Sequence, residues 1–493
     1  LLRTSILPLR TYYRDQGYAY VRIQLQYLKD VMRKQMGARL IIAKGPRTRV
    51  GSISITGLKV TKKHVVLRDI LLKKGDFFSE TKLRQSQRRL FGTGFFLPTD
   101  RRFGVKVIES PGSKIGTISL KFVFKEKPHY FRPAGTTWLF NISPSYLPDF
   151  GFILAGKLGK TNFLGHGQTI IGQGFYSTSH RLLNANLTFI EPRFLDSDLY
   201  TSISLSRAHY TSPSLGFVRD TLGGRLSLSY PLFSRRVRIG LSYRLQSVGI
   251  SAGAGESIGT RIDGYFANRR TGAARISLSY DSRNRAIGAS RGMSHLLSFE
   301  HTAPYLGADY HLNRFELTTR FYFSLPYSMI IRTALNMGWL HSPEVKGVPV
   351  FERYYLGGQY SIRGYFLDSI APRRQVPSTI DSAFGRGGLP WGGDKKLLFN
   401  IELEFPIIKY MNLTALKGVL FFDAGNTYDS NEFFFRDLRN PELPLGLFMS
   451  AGFGIRWVVG NASVLRFEFG YPLTRRSFDP SWLMGFVVGE TTF

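Results

Sequence analysis

Beyond about residue 136 apolar and polar positions alternate almost without break. Val237, Ile239, Leu241, Tyr243 and Leu245 alternate with Arg238, Gly240, Ser242, Arg244 and Gln246. Leu183, Ala185, Leu187 and Phe189 alternate with Asn184, Asn186 and Thr188. Ile401, Leu403 and Phe405 alternate with Asn400, Glu402 and Glu404, and Leu465, Phe467, Phe469 and Tyr471 with Arg466, Glu468 and Gly470. Successive side chains of a strand point to opposite faces, so this period predicts strands with one apolar and one polar face. A soluble sandwich strand alternates too. Here the stretches run about ten residues and carry Phe, Tyr or Trp at their edges, which suits a membrane barrel with lipid outside and water inside. Roughly 22 residues per strand and loop, over about 358 residues, gives about 16 strands, an even number. Closure also satisfies every backbone group in lipid, which an open sheet cannot do.

The first 130 residues read differently. Val50–Ile55 alternates and stops at Gly57, which predicts a strand. Thr61 is positioned to cap a helix to Leu72 with Val65, Val66, Ile70 and Leu71 on one face, and Gly75 ends it. Ser79 is positioned to cap a second helix that buries Leu83, Leu90 and Phe91. Strands at Val105–Ile108 and Thr117–Phe124 complete a β-α-α-β-β unit, with 117–124 a candidate edge. Residues 1–47 resemble the rear half of a second such unit, a helix end closed by Gly17 and strands near 20–28 and 38–43. The expected fold is mainly β: a 16-stranded antiparallel transmembrane β-barrel over 129–493, a complete small α/β unit over 49–128, and the C-terminal part of a truncated one over 1–48.

Composition narrows the chemistry. No run of about 18 apolar residues exists, so no helical span is expected. With no cysteine, disulfides and thiolate metal sites are excluded. The formal net charge is +32, and residues 1–130 hold 28 Lys/Arg against 8 Asp/Glu. Such a bias suits an anionic partner or a solvated basic surface. Catalytic patterns are weak. The nine histidines show no metal-ligand spacing. Gly255-Glu-Ser-Ile-Gly259 has the spacing of a nucleophile elbow but reads as a small-residue loop without the strand before it and helix after it. Gly159-Lys160-Thr161 lacks the leading glycine of a phosphate loop. The polar cluster Asp281, Arg283 and Asn284 fits a strand end. No enzyme, metal or cofactor is expected.

One loop stands apart: Tyr355-Leu-Gly-Gly-Gln-Tyr-Ser-Ile-Arg-Gly-Tyr365. Its Ile362-Arg363-Gly364-Tyr365 resembles the [V/I]RG[Y/F] loop motif of the BamA-type outer-membrane assembly superfamily. Other segments match in order. Asn162–Gly167 resembles the early N-x-L-G-x-G turn, Phe189–Phe194 an x-x-x-P-x-F strand end, and Tyr280–Arg285 the Y-D-x-R-[ND] segment. Phe421–Tyr428 resembles the F-x-D-x-G strand, and 450–457 and 467–473 the last strands. Residues 50–127 resemble the superfamily's POTRA fold. The resemblance covers essentially the whole chain.

It implies a long inward loop around 357–395, anchored by Arg363 on lumen-facing Glu402 and Asp423. A guanidinium is a planar fork of donors suited to carboxylates. Gly357, Gly358 and Gly364 would let the loop turn tightly against the wall. The segment Trp482–Phe493 would be the closing strand. Gly485 and Gly489 weaken it, Phe493 ends it, and Pro144 and Pro148 limit what the first strand can donate. The implied function is folding and inserting client barrel proteins through a weak seam, a lateral gate between first and last strands. The implied partners are unfolded outer-membrane proteins, accessory lipoproteins, periplasmic chaperones and membrane lipid, with no nucleic acid. The barrel would sit in the outer membrane and the POTRA units in the periplasm. The alternative is a two-partner-secretion-type or organellar protein translocation pore.

Overall fold

The computed structural model describes residues 2–30, 35–100, 102–130, 136–179, 182–211, 217–252, 268–286, 288–345, 347–374, 389–410, 413–459 and 463–488. The chain divides into two compact units, Leu1–Leu139 with Gly159–Ile170, and Phe140–Leu158 with Ile171–Phe493.

The first unit begins with helix Leu2–Asp15, followed by the antiparallel pair Arg22–Asp30 and Gln35–Ala43. The β-α-α-β-β order then appears as Arg49–Thr56, Lys63–Leu67, Glu80–Gly92, Lys106–Pro111 and Thr117–Val123. Ser79 caps the longer helix, its hydroxyl accepting from the Lys82 amide at 3.2 Å. Leu83 and Leu90 are buried in the core, whereas Phe91 stays 40% exposed. At the helix's last turn its ring lies over Gly104, where a Cβ would come 2.2 Å from it.

Three expectations change here. The helix predicted over Thr61–Leu72 runs only Lys63–Leu67, with Lys62 as N-cap. Thr61 does not cap it, because its backbone N–H and those of Lys59 and Val60 donate to the Glu126 carboxylate at 2.7–3.0 Å. The β-branched Val65 and Val66 propagate a helix poorly, and the chain turns to bury Ile70 and Leu72 outside it. Strand Thr117–Val123 is not an edge. It lies between Arg49–Thr56, parallel to it, and Lys106–Pro111, antiparallel. A crossover of two helices returns the chain beside its first strand, and Ile118, Leu120 and Phe122 carry the core at 0% exposure. The edges are therefore Arg49–Thr56 and Lys106–Pro111.

The two repeats of this unit are tied by charge. Arg14, at the end of the first helix, donates to both Glu109 oxygens at 2.7 Å and pairs with Glu80. Asp15 beside it accepts from the Ser79 hydroxyl and the Thr81 amide, each at 2.8 Å, at the start of the longer helix.

The second feature is a closed barrel of sixteen strands, from Trp138–Leu147 to Leu483–Val488. Its described ladders are antiparallel, and its side chains follow the expected period. Leu241, Tyr243 and Leu245 face outward, 38–52% exposed, while Glu402 and Glu404 face inward at 0% and 2%. Ladders are long in the middle of the wall: Lys395–Tyr410 pairs with Leu413–Tyr428 from Lys395↔Tyr428 to Tyr410↔Leu413. At the closure the described pairing is Phe486↔Tyr146 alone. The other edge of the last strand pairs from Leu465↔Val488 to Gly470↔Leu483. Gly489 and Phe493 lie outside the described residues, as does Gly255–Gly259.

Candidate functional site

The described part of the loop between strands Ile330–His341 and Lys395–Tyr410 folds against the inner wall of the barrel, where Arg363 fixes it; residues 375–388 of the expected inward loop lie outside the described residues. Three glycines shape the approach. Gly357, Gly358 and Gly364 have φ of 104°, 91° and 92°, in the left-handed region that a side chain disfavours. Gly364 must also lie flat on the wall, because a Cβ there would come 2.9 Å from the backbone of Gly470. Ile362 and Tyr365, both 0% exposed, pack with Leu356, Ile370, Leu398 and Phe448 in an apolar plug on either side of the arginine. The Tyr365 hydroxyl donates to the Thr474 carbonyl at 2.7 Å. Its pKa is pushed up to about 12, chiefly by burial.

Arg363 is 2% exposed. Its Nε and Nη2 donate to the two oxygens of Asp423, each at 2.7 Å, in a bidentate fork. Nη1 donates to Glu402 at 2.7 Å and to Glu468 at 3.3 Å. The guanidinium carbon stands 3.5 Å from the centroid of the Phe421 ring, which the same strand supplies. Burial alone would lower the Arg363 pKa, but Asp423 first, then Glu402 and Glu468, hold it well above the ordinary value. Asn400 fixes the acceptor, donating to Asp423 Oδ1 and to the Ser361 carbonyl, both at 2.8 Å.

Sequence reasoning named Arg363, Glu402 and Asp423, and the structure brings these three together. It did not name Glu468, Arg456 and Arg466 as part of the site. Arg456 bridges Glu402 and Glu468 at 2.7 Å each, and Arg466 reaches both Glu468 oxygens at 2.6 and 2.7 Å. Three buried guanidiniums thus meet three buried carboxylates, and Arg456 also reaches Glu404 at 3.6 Å, which Arg332 and Lys417 hold in turn, so each carboxylate has a cationic partner. That balance is what makes burial tolerable, because an unmatched buried charge costs several kcal/mol. The missed signal was present: Arg466 and Glu468 are the polar positions of an alternating strand, though nothing local says what they face.

A second anchor was also missed. Glu352, at the near end of the loop, accepts from the Tyr310 hydroxyl at 2.9 Å and from Arg244 at 3.4 Å, and pairs with Arg314. The next residue, Arg353, pairs with Asp394 at 3.3 Å, so both ends of the loop are held to each other.

Gly485 has a different role from the one its strand position suggested. A Cβ there would come 2.4 Å from Gln359 of the loop, whose amide nitrogen donates to Glu468 at 2.9 Å. The glycine lets the loop press on the last strand. The contacts of the loop with the first strands are fewer: the Leu367 amide points to Asp149 at 3.3 Å, and the Tyr210 hydroxyl bonds Asp368.

A closed sixteen-stranded barrel, a β-α-α-β-β unit ahead of it and a loop latched inside by a buried arginine define a class of membrane barrel in which an interior loop braces the wall. The chain belongs to the Omp85 superfamily: the model of the Omp85 superfamily domain matches residues 162–492. A POTRA model, described as a surface antigen variable number repeat, matches residues 48–127. The chain is 26% identical to the outer membrane protein assembly factor BamA of Nitratidesulfovibrio vulgaris over 478 residues, 96% of this chain and 55% of that one. It is 24% identical to BamA of Neisseria meningitidis over 506 residues, 96% of this chain and 60% of that one. It therefore spans little more than half the length of these relatives. Among solved structures, BamA from Haemophilus ducreyi lacking POTRA domains 1–3 superposes with a TM-score of 0.73 at 20% identity, covering 99% of this chain and 93% of that one. CdiB from Escherichia coli superposes with a TM-score of 0.61 at 16% identity, covering 98% and 83%.

Proposed function

We propose that this chain folds and inserts other β-barrel proteins into the outer membrane, by offering the edge of its first strand to a client through a weak seam. The observation that carries this is the closure: among the described residues one pair joins the last strand to the first, while six join the last strand to its other neighbour. An edge with few pairs among its described residues suits exchange for an incoming strand by β-augmentation. The client supplies the driving force as its apolar side chains enter lipid and its backbone becomes paired. No nucleotide, metal or catalytic step enters this reading. The POTRA unit would lie in the periplasm and receive clients at an edge strand, Arg49–Thr56 or Lys106–Pro111. Accessory lipoproteins and periplasmic chaperones fit as further partners, and anionic headgroups suit the basic first 130 residues.

The chain has no cysteine, so Tyr146→Cys with Phe486→Cys places one engineered disulfide at the seam. Facing residues of an antiparallel pair lie about 4.5–5.5 Å apart at Cα, within disulfide reach. The oxidised form should remain a folded barrel yet fail to insert a client into liposomes, and reduction should restore insertion. Full insertion by the oxidised form would defeat the seam mechanism. Strong ion conductance with transport that survives the lock would favour a translocation pore instead.

A further inference from the structure

Beside the seam the inner wall carries an apolar patch, edged by Ser145, Asp149 and Gln359, where a wet lumen calls for polar side chains throughout. Leu147 of the first strand, Ile153 of the second, Phe175 and Leu182 of the next two, Leu367 of the loop and Val487 of the last strand enclose a cavity of about 340 Å³. Its lining comes from both sides of the one-pair closure. Continuing the Phe486↔Tyr146 register places Gly485 opposite Leu147. The resident last strand therefore projects no side chain into the space facing Leu147, and only the flexible end of Gln359 approaches it.

We propose that this cavity is a side-chain receptor for the client. When an incoming strand replaces the last strand on the first strand's edge, its lumen-facing residue opposite Leu147 enters the cavity, and an apolar side chain is preferred there. This rests on the insertase reading and deepens it. The period of a strand requires every second side chain of the newcomer to point inward, so one must face this site. The volume falls at the small end of ligand pockets, roughly 300–1,000 Å³, and accommodates one large apolar side chain. Burying such a side chain favours the bound strand enough for about a tenfold gain in capture. The outer faces of the seam strands already hold aromatic pairs, Phe467 on Phe486 and Tyr146 on Phe152, so the cavity reads the face of the client that these cannot touch.

The test uses the full chain in liposomes and an eight-stranded client in two forms, Leu or Ser at the inward position of its final strand opposite Leu147. The wild-type protein should insert the Leu form about tenfold faster. Ala155→Trp, which fills the cavity from the second strand, should bring the ratio of the Leu-form to the Ser-form rate from about ten to about one. Heat-modifiability on a gel checks that the variant barrel is folded. A photoreactive group at position 175 should cross-link the client strand. Equal rates for the two forms with wild type, equal slowing of both by Ala155→Trp, or cross-links to acyl chains alone would each overturn the receptor while leaving insertion itself intact. No insertion of either form by wild type would instead overturn the function on which the proposal rests.

Discussion

The barrel wall has two unlike halves. From Phe217–Pro231 round to Ser463–Pro472 the inward positions carry Arg219, Arg244, Arg275, Glu300, Arg314, Glu316, Arg332, Glu402, Glu404, Lys417, Asp423, Arg456, Arg466 and Glu468, most of them in ion pairs. In the first five strands, among the described residues, Lys157 is the one charged side chain in inward register. The rest are Ser, Asn, Thr, Gln, Gly, Tyr and apolar residues. Both halves close one cylinder, but only one is cross-linked to the loop by buried charge. Buried ion pairs with good geometry resist the loss of either partner, because the survivor is left without compensation. A wall with a single inward charge leaves little uncompensated when its contacts change.

The comparison can be broken or sharpened by substitution, beginning where the effect is largest. Arg363→Ala leaves the buried Asp423 without a guanidinium partner, while Glu402 keeps Arg456, and should cost about 3–5 kcal/mol of barrel stability, read as a lowered denaturation midpoint in detergent and as lost insertion. Arg363→Lys keeps the charge but not the fork and should recover only part of that loss. If Arg363→Ala leaves the midpoint unchanged, the loop is no brace. Gly470→Ala places a Cβ about 2.5 Å from the Gly364 backbone, and should cost about 1–3 kcal/mol as the loop lifts. Greater accessibility of residues 359–365 to a labelling reagent would mark that displacement.

In the first unit, burial pulls the Glu126 pKa upward but hydrogen bonds from Thr61, Val60 and Lys59 outweigh it, and the net shift is downward. A depressed folded value means stability that is complete above the unfolded carboxylate range, about pH 4.3, and is lost as pH falls through the folded value. Glu126→Gln should lower stability at neutral pH by about 1 kcal/mol and flatten this acid dependence, as followed by circular dichroism of the chain across pH 3–7. The smallest effect is expected in the neutral half. Asn186→Ala and Ser204→Ala should each change stability by less than about 0.5 kcal/mol. Losses there as large as at Arg363 would erase the distinction between the halves.

Much of this molecule was legible before folding. The two-residue period assigned inward and outward faces, and barrel dimensions led to sixteen strands. The loop motif singled out Arg363, alternation placed Glu402 on a polar face, and family resemblance pointed to Asp423. What stayed hidden depended on neighbours far away in sequence. Thr61 looked like a cap until Glu126 took its amide. Strand 117–123 looked like an edge until the crossover set it in the middle. Nothing local to Gly485 announced that Gln359 of the loop lies against it. Glu468, Arg456 and Arg466 were visible as polar positions without a purpose.

The chain's own order of residues determined which way each side chain points, because pleat and period are local properties of the backbone. Only the tertiary structure decided which charges meet. Arg363 reaches Asp423 across 60 residues and Glu468 across 105, and no local rule links such positions. Their pairing follows from the closure of the cylinder, which sets strands of distant sequence around one lumen where a buried charge must find its opposite.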